Sequence, residues 1–223
     1  MLPVEVCEGL DELVQTIAIF AIPVLLAITL HEAAHGYVAR LFGDPTAHLA
    51  GRITLNPLRH IDPIGTVVVP LVILLLSSIG GSGFLFGWAK PVPVDFGRLR
   101  RPKRDMIWVA AAGPGANLIM AVGWALLLKM QVSFGFDERF FYEMARAGIL
   151  VNIGLMALNL LPVPPLDGGR IMVGVLPRAI AWQFARLERW GLFIILALMA
   201  TNTLWFFLAP FYRLGLAIVE LFI

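Results

Sequence analysis

Five apolar segments run along the chain, and polar, glycine-rich or proline-rich connections separate them. They cover residues 13–42, 63–87, 106–128, 147–162 and 190–208. About 20 apolar residues in a helix cross the hydrocarbon core of a bilayer, so most of these segments are long enough to span it. Glycine and proline interrupt helices, so we expect the first segment to end at Gly43-Asp44-Pro45. The pattern predicts an all-α polytopic membrane protein, a helical bundle formed by a single domain over residues 1–223.

The second apolar segment is predicted to enter the membrane and return rather than cross it. Pro91 and Pro93 follow it, and prolines two positions apart cannot both lie inside a helix, so residues 88–94 are expected to be extended. Basic loops prefer the cytoplasmic side of a membrane. A re-entrant path over residues 63–94 puts 13 of the 17 Lys and Arg residues on that side, whereas a full crossing separates two basic loops. The hypothesis is therefore a helical bundle with a re-entrant segment and a short extended or β element.

The composition agrees with a membrane protein and narrows the function classes. Apolar residues make up 59% of the chain and charged residues 14%, against about 45–50% and about 25% in soluble domains. The net charge is only +2, and the basic residues are clustered between apolar segments, so we predict no nucleic-acid partner. Cys7 is the only cysteine, which excludes an intrachain disulfide framework.

The strongest chemical signal is His31-Glu32-Ala33-Ala34-His35, near the end of the first apolar segment. Residues four apart share one face of a helix, so both imidazoles can bind one zinc ion. Glu32 lies beside them and can take a proton from a water that zinc activates. Residues 13–30 carry no charged side chain, which predicts that the motif lies at membrane depth. The alternative is that both histidines are polar helix-packing residues.

Asp167 is the candidate third ligand, because a catalytic zinc site uses three protein ligands and one open position. It follows the fourth apolar segment, and an ionisable residue in such a context suggests function. In the re-entrant topology the first and fourth segments run in the same direction, so His31, His35 and Asp167 reach similar depths near the cytoplasmic side. The alternative reading makes Asp167 an interfacial helix-end residue or a partner for Arg170.

Two amides and two histidines are secondary candidates. Asn117 and Asn159 lie in apolar segments, where an amide either bonds a neighbouring helix or holds the substrate backbone or an oxyanion. His48 and His60 lie in the polar connection after the first segment, where histidines are ordinarily solvated or structural. Their roles, and that of Cys7, stay open from the sequence.

Three motifs in this order resemble the site-2 protease family of membrane-embedded zinc metallopeptidases. They are His31–His35, Gly113-Pro114-Gly115-Ala116-Asn117 and Asn159–Gly169, the last matching N-x-x-P-x-x-x-L-D-G-G at every fixed position. Residues 56–66 and 86–94 are similar to the compact prokaryotic branch of that family. The chain departs from larger members because it shows no PDZ or CBS module.

The resemblance implies a single zinc ion held by His31, His35 and Asp167, with Glu32 as the base. It implies an intramembrane protease that cleaves transmembrane substrate proteins within the bilayer, in a prokaryotic plasma membrane and from the cytoplasmic side. In relatives an extended segment near the site pairs with substrate by edge-strand addition. The candidates for that role in this chain are Trp88, Ala89, Lys90 and Val92. Substrate identity, a regulatory membrane partner and the oligomeric state stay open.

Three other readings are weaker. A membrane metal-ion transporter would use the same residues as a transit site, but it needs further polar residues along a continuous path, and the sequence offers few. A di-iron carboxylate protein needs a second E-x-x-H pair and two more inward glutamates, which the sequence does not supply. A non-catalytic family member is disfavoured because all three motifs are intact.

Overall fold

The computed structural model describes residues 4–60, 62, 65, 68, 90–136 and 138–223, with side chains from residue 14 onward. Regular secondary structure in these ranges is helical, and no strand occurs in them. The helices are α1 (Val4–Leu41), α2 (Thr46–Leu49), α3 (Pro102–Ser133), α4 (Arg139–Asn159), α5 (Asp167–Val175), α6 (Arg178–Ala185), α7 (Gly191–Ala200) and α8 (Leu204–Glu220). Short 3-10 turns cover Pro57–Arg59, Phe96–Arg98 and Arg186–Trp190. The prediction of an all-α protein is confirmed.

Three helices are long and apolar enough to cross a bilayer. They are α1 from Val14 to Leu41, α3 and α4, which contain 28, 32 and 21 residues. A bent pair makes a fourth candidate span, because Arg178–Ala200 and Leu204–Glu220 are together apolar enough but meet at 95°. About 20 helical residues suffice to cross the hydrocarbon core. The prediction of a polytopic membrane protein is therefore confirmed.

The boundaries differ from the sequence prediction at the starts of two helices and at one break. Helix α3 begins at Pro102 and α4 at Arg139, before the apolar segments 106–128 and 147–162, because the polar ends of a span continue as helix outside its apolar stretch. The predicted segment 190–208 is broken between α7 and α8. There Asn202 has φ 54°, a left-handed conformation that no helix interior accommodates, and the Thr201 hydroxyl donates back to Ala197 O at 2.8 Å.

The predicted re-entrant segment over residues 63–87 lies outside the described residues, apart from the isolated positions 65 and 68. It therefore stays a prediction. Residues 90–95, which follow it, are not helical, in agreement with the expected extended piece.

The membrane core forms where α4 packs against α3 and α8. Its buried cluster includes Trp124 of α3, Ile149 and Ile153 of α4 and Val219 of α8. A side chain at Gly148 would collide with the Trp124 ring, so glycine lets the two helices approach closely. Such small residues are typical of helix interfaces in membranes, where packing rather than water drives association. Helix α1 packs against both α3 and α4, and this arrangement positions the polar residues of α1.

Candidate active site

Three polar side chains that are distant in sequence converge where α1, α3 and α5 meet. His31 and His35 lie one turn apart on α1, and their Nε2 atoms are 3.1 Å apart. Asp167, the first residue of α5, places its Oδ2 atom 3.2 Å from Nε2 of His31 and 3.3 Å from Nε2 of His35. All three side chains are at most 12% exposed. Among the described residues, this is the group of His, Cys, Asp or Glu side chains whose donor atoms are close enough to share a metal ion.

Two amides determine which nitrogen of His31 carries the proton. Asn152 donates through Nδ2 to Gly148 O at 2.8 Å, so its Oδ1 is left to accept. Asn117 donates through Nδ2 to that Oδ1 at 3.1 Å and to Ala27 O at 3.3 Å. The Oδ1 atom of Asn117 must then accept from Nδ1 of His31, at 2.6 Å. In a neutral imidazole with the proton on Nδ1, Nε2 keeps its lone pair for a metal.

His35 is held in the same tautomer by a different partner. Its Nδ1 lies 2.7 Å from the carbonyl oxygen of Val109 on α3. A carbonyl only accepts hydrogen bonds, so Nδ1 of His35 is the donor and Nε2 carries the lone pair. Helix α3 therefore orients both rings, one through a side chain and one through its backbone. Partners of this kind fix ring orientation in metal sites.

The donor atoms fit a zinc ion. Their separations of 3.1–3.3 Å match the spacing of about 3.3–3.4 Å between two ligands of a tetrahedral zinc whose bonds are about 2.0–2.1 Å long. The Oδ2 atom of Asp167 is buried and has no hydrogen-bond partner in the described part of the chain, since neither neighbouring Nε2 offers a proton. Three acceptors that face one another repel, and a divalent cation shared by them removes that repulsion. Two imidazoles and a carboxylate leave one position open, as catalytic zinc sites require.

Glycine at position 113 makes room for the two rings. A Cβ atom built on Gly113 would lie 2.6 Å from both Nε2 and Cε1 of His31 and closer still to Nε2 of His35. A Cβ built on Gly115, in the same motif, would meet no atom within 4 Å. Gly113 therefore permits α3 to pass directly over the ring nitrogens, whereas Gly115 has no such constraint.

The two glycines after Asp167 allow the backbone at the start of α5 to approach the preceding loop closely. A side chain at Gly168 would collide with the carbonyl of Leu160, and one at Gly169 with the backbone of Pro164. The start of α5 is thus pressed against the loop that follows α4. This close approach sets the position of Asp167, which sits on the first turn of α5 with its side chain turned toward α1.

Glu32 is bonded to the extended segment 90–95. Its Oε2 atom accepts from the backbone N–H of Val92 at 2.7 Å. The Val92 side chain is buried and packs on Gly36, where an added Cβ would lie 3.1 Å from its Cγ1. The segment and the carboxylate are therefore neighbours, as expected for residues near one site. Trp88 and Ala89, the other two candidates for substrate pairing besides Lys90 and Val92, lie outside the described residues.

Side chains and a carbonyl from the connection after α1 hold the same segment in place. The N–H of Lys90 donates to His60 O at 2.9 Å. The Arg52 guanidinium donates to Lys90 O at 2.8 Å and to Pro91 O at 3.3 Å. The N–H of Asp95 donates to Oδ2 of Asp44 at 2.7 Å. Among the residues that the structure describes, the segment thus takes its backbone partners from side chains and a loop.

Asp44 is fully buried at the end of α1 and accepts three hydrogen bonds. Besides the N–H of Asp95, its carboxylate accepts from the N–H and the hydroxyl of Thr46. Burial by itself would raise the pKa of Asp44, but these hydrogen bonds and the charge of Arg98 outweigh it and hold the pKa below its usual range. Asp44 therefore acts as a charged anchor between α1 and the extended segment.

Three further residues singled out from the sequence form contacts with other groups than the converging donors. Asn159 donates to Leu155 O of its own helix at 3.0 Å, and His48 lies 3.3 Å from an Arg40 nitrogen. His60 is buried, and its Nε2 contacts Thr54 O at 3.1 Å. The side chain of Cys7 lies outside the described ones.

Asn152 is the residue that sequence reasoning missed. It is fully buried on α4, and its only sequence signal is an amide in an apolar helix, the same signal that singled out Asn117 and Asn159. Its link to His31 runs through Asn117 of another helix, so no local spacing could reveal it.

Comparison with known proteins agrees with this geometry. The family described as "Peptidase family M50" matches residues 138–201. The YwhC protein of Bacillus subtilis (strain 168) is 37% identical over 190 residues, which cover 81% of this chain and 79% of that protein. The Rip2 proteins of Mycolicibacterium smegmatis and Mycobacterium tuberculosis are 34% and 32% identical over 187 residues, which cover 82% of this chain and 68% of each relative. The names of these relatives assign them provisionally as zinc metalloproteases.

No solved structure matches the chain significantly. The identity to YwhC over most of both chains nevertheless establishes the family, and the donor atoms on α1 and α5 are placed to bind a metal ion. The chain accordingly belongs to peptidase family M50, the site-2 protease family, and it is a zinc metalloendopeptidase.

Proposed function

We propose that this metalloendopeptidase hydrolyses peptide bonds of transmembrane proteins within the bilayer. The observation that carries the proposal is the position of the donor group on a membrane-spanning helix. His31 and His35 lie inside the span Val14–Leu41, and residues 13–30 before them carry no charge. A protease for soluble substrates has no need to bury its chemistry at that depth, because polar groups in a membrane are costly.

The proposed ligands are His31, His35 and Asp167, and the proposed general base is Glu32. When bound, zinc supplies Lewis-acid activation of water and stabilisation of negative charge on the carbonyl oxygen. Glu32 removes a proton from the attacking water and delivers it to the leaving amine. The N–H of Val92 holds the Glu32 carboxylate in one orientation, at 2.7 Å. Atoms and charge balance, since water adds across the peptide bond and Glu32 returns to its starting state.

Asn117 is better suited to orienting His31 than to binding substrate. Both polar atoms of its amide are engaged, Oδ1 with His31 and Nδ2 with Ala27 and Asn152. We therefore assign it, with Asn152, to fixing the tautomer of the proposed ligand His31. A role for Asn159 at the oxyanion stays a prediction, as its Nδ2 donates to its own helix in this structure.

The proposed substrate segment is the extended piece that includes Lys90 and Val92. A transmembrane substrate hides its carbonyls in helical hydrogen bonds, so it must unwind locally before attack, and an edge segment offers new backbone partners. The N–H groups of Lys90 and Val92 are already bonded to His60 and Glu32. Pairing through these two groups therefore requires an exchange of bonds at Glu32 itself, which would couple substrate arrival to the base.

The active site is proposed to face the cytoplasm. Arg40 lies in the last turn of α1, and the basic residues from Arg98 to Arg104 precede or open α3. These are the helix ends nearest His35, whose ring contacts Val109 of α3. Because basic flanks of spans favour the cytoplasmic side, the donor group belongs to that half of the membrane.

The test uses purified protein in proteoliposomes with a single-span substrate protein. Glu32→Gln is expected to retain zinc and to lose cleavage, while Glu188→Gln, an exposed glutamate on another turn, keeps both. Mass spectrometry of the products should place the cut inside the hydrophobic residues of the substrate. Cleavage by Glu32→Gln would contradict the base assignment, and a cut confined to soluble flanks would contradict intramembrane proteolysis.

A further inference from the structure

A cavity lies beside the extended segment, and its described lining includes none of the metal donors. Its volume is about 480 Å³. Three of its seven described lining residues are basic, namely Arg52, Arg59 and Lys90, and the other four are apolar. None of the three basic side chains forms an ion pair within the described part of the chain. The cavity is therefore a concentration of positive charge without a counter-charge from those residues.

Arg52, one of the three basic residues of the cavity, is buried, so water does not fully solvate its charge. The residue is 9% exposed, and its guanidinium satisfies the carbonyls of Lys90 and Pro91. Its Nε–H is buried and has no hydrogen-bond partner among the residues that the structure describes. A buried guanidinium with an unpaired N–H is costly unless an acceptor or an anion compensates it. An anionic group in the cavity that Arg52 lines would supply the missing charge.

Exposed leucines in the connection after α1 indicate the source of the anion. Leu49, Leu55 and Leu58 are 75%, 69% and 74% exposed, and Leu58 lines the cavity itself. They follow directly on the membrane-spanning helix α1, which ends at Leu41. Apolar side chains beside cationic ones are typical of surfaces that lie in the boundary between lipid headgroups and acyl chains.

We propose that this cavity binds the phosphate of an anionic phospholipid headgroup. The guanidinium groups of Arg52 and Arg59 and the ammonium group of Lys90 donate to phosphate oxygens, which are the acceptors that such groups favour. The exposed leucines lie among the acyl chains of the same lipid layer. A zwitterionic headgroup binds less well because its own ammonium is repelled by the three cations. This inference concerns binding alone and does not rest on the proposed proteolysis.

The test compares lipids and variants with the full chain in detergent solution. Thermal unfolding and native mass spectrometry are measured with added phosphatidylglycerol, phosphatidylcholine or inorganic phosphate. Arg59→Gln removes one charge from the cavity. Arg104→Gln is the matched control, because Arg104 is exposed at the start of α3 and does not line the cavity. Arg59→Lys restores the charge.

Phosphatidylglycerol is expected to bind the native chain and Arg104→Gln equally, and Arg59→Gln about fivefold more weakly, the effect of one basic residue near an anionic membrane. Arg59→Lys should recover most of the loss. Equal binding to Arg59→Gln and Arg104→Gln would overturn the site, as would equal binding of phosphatidylcholine. If inorganic phosphate binds as tightly as phosphatidylglycerol at equal phosphate concentration, the lipid assignment is overturned in favour of a free phosphate.

Discussion

Replacement of Asn117 by alanine tests whether amides on α3 and α4 prepare His31 for zinc. The change removes the acceptor for Nδ1–H of His31, at 2.6 Å, and the donor to Asn152, at 3.1 Å. Asn117 and Asn152 are both fully buried, so water cannot readily replace the lost partners. Each buried polar group left unpaired costs about 1–3 kcal/mol.

The loss of these hydrogen bonds affects both zinc binding and the stability of the fold. Zinc binding depends on the orientation of the His31 ring. Removal of a hydrogen-bond partner that orients a metal ligand typically lowers metal affinity about 10–100-fold. We therefore expect Asn117→Ala to weaken zinc binding by a factor in that range. The unpaired amide of Asn152 lowers the stability of the fold whether or not zinc is bound.

The assay is zinc affinity measured by competition with a chromophoric chelator, with the purified protein in detergent. Asn159→Ala is the control, because that amide donates only to its own helix carbonyl, Leu155 O, among the contacts described here. It should leave zinc affinity close to that of the native chain. Unchanged affinity in Asn117→Ala, or an equal loss in Asn159→Ala, would refute the proposed orientation of His31.

Gly113 and Asp44 each allow one further prediction, the first on zinc binding and the second on stability in acid. Gly113→Ala should abolish stable zinc binding, because the added Cβ would lie 2.6 Å from Nε2 of His31. Gly115→Ala is the control and should bind zinc normally, since nothing lies within 4 Å of its Cβ. Equal zinc content in the two purified variants would contradict this prediction. The lowered pKa of Asp44 makes the charged carboxylate a stabilising group that is fully effective above the unfolded pKa of about 4 and is lost as pH falls through the lower folded value. Thermal unfolding should therefore show a loss of stability in acid that Asp44→Asn lacks, and parallel pH profiles of the two proteins would contradict it.

The proposed metal donors could be singled out from the sequence because their signal is mostly local. His31 and His35 are four residues apart, and the helical repeat alone puts them on one face. Asp167 required more, namely the scarcity of intramembrane acids, the direction of each span and the resemblance to a known family. The structure brings its Oδ2 atom within 3.3 Å of both ring nitrogens, although Asp167 lies 132 positions beyond His35; its role as a ligand stays a proposal.

The parts that could not be predicted depend on contacts between distant residues. Asp44 was read only as part of a helix-ending Gly-Asp-Pro cluster, because its bond to the N–H of Asp95 crosses 51 positions. The break between α7 and α8 was missed because Thr201-Asn202-Thr203 is short and lies between strongly apolar stretches. In both cases the conformation depends on tertiary contacts, which a pattern of residues along the chain does not contain.

Two separate parts of the structure support the proposed ligands and the proposed base. The rings of His31 and His35 are oriented by α3, through Asn117 and Val109, in the packed helical core. Glu32, on the same turn of α1, is instead held by the segment 90–95, which the connection after α1 fixes through Asp44, Arg52 and His60.

Because the two supports share no hydrogen bond among the described residues, metal affinity and proton transfer are separable. Substitutions on α3 should act on zinc binding, whereas substitutions that loosen the segment 90–95 should lower the rate of hydrolysis at full zinc occupancy. This division has a physical advantage. A substrate that exchanges bonds with the segment can move the base without disturbing the metal, since the packed helices that orient the rings are not part of that exchange.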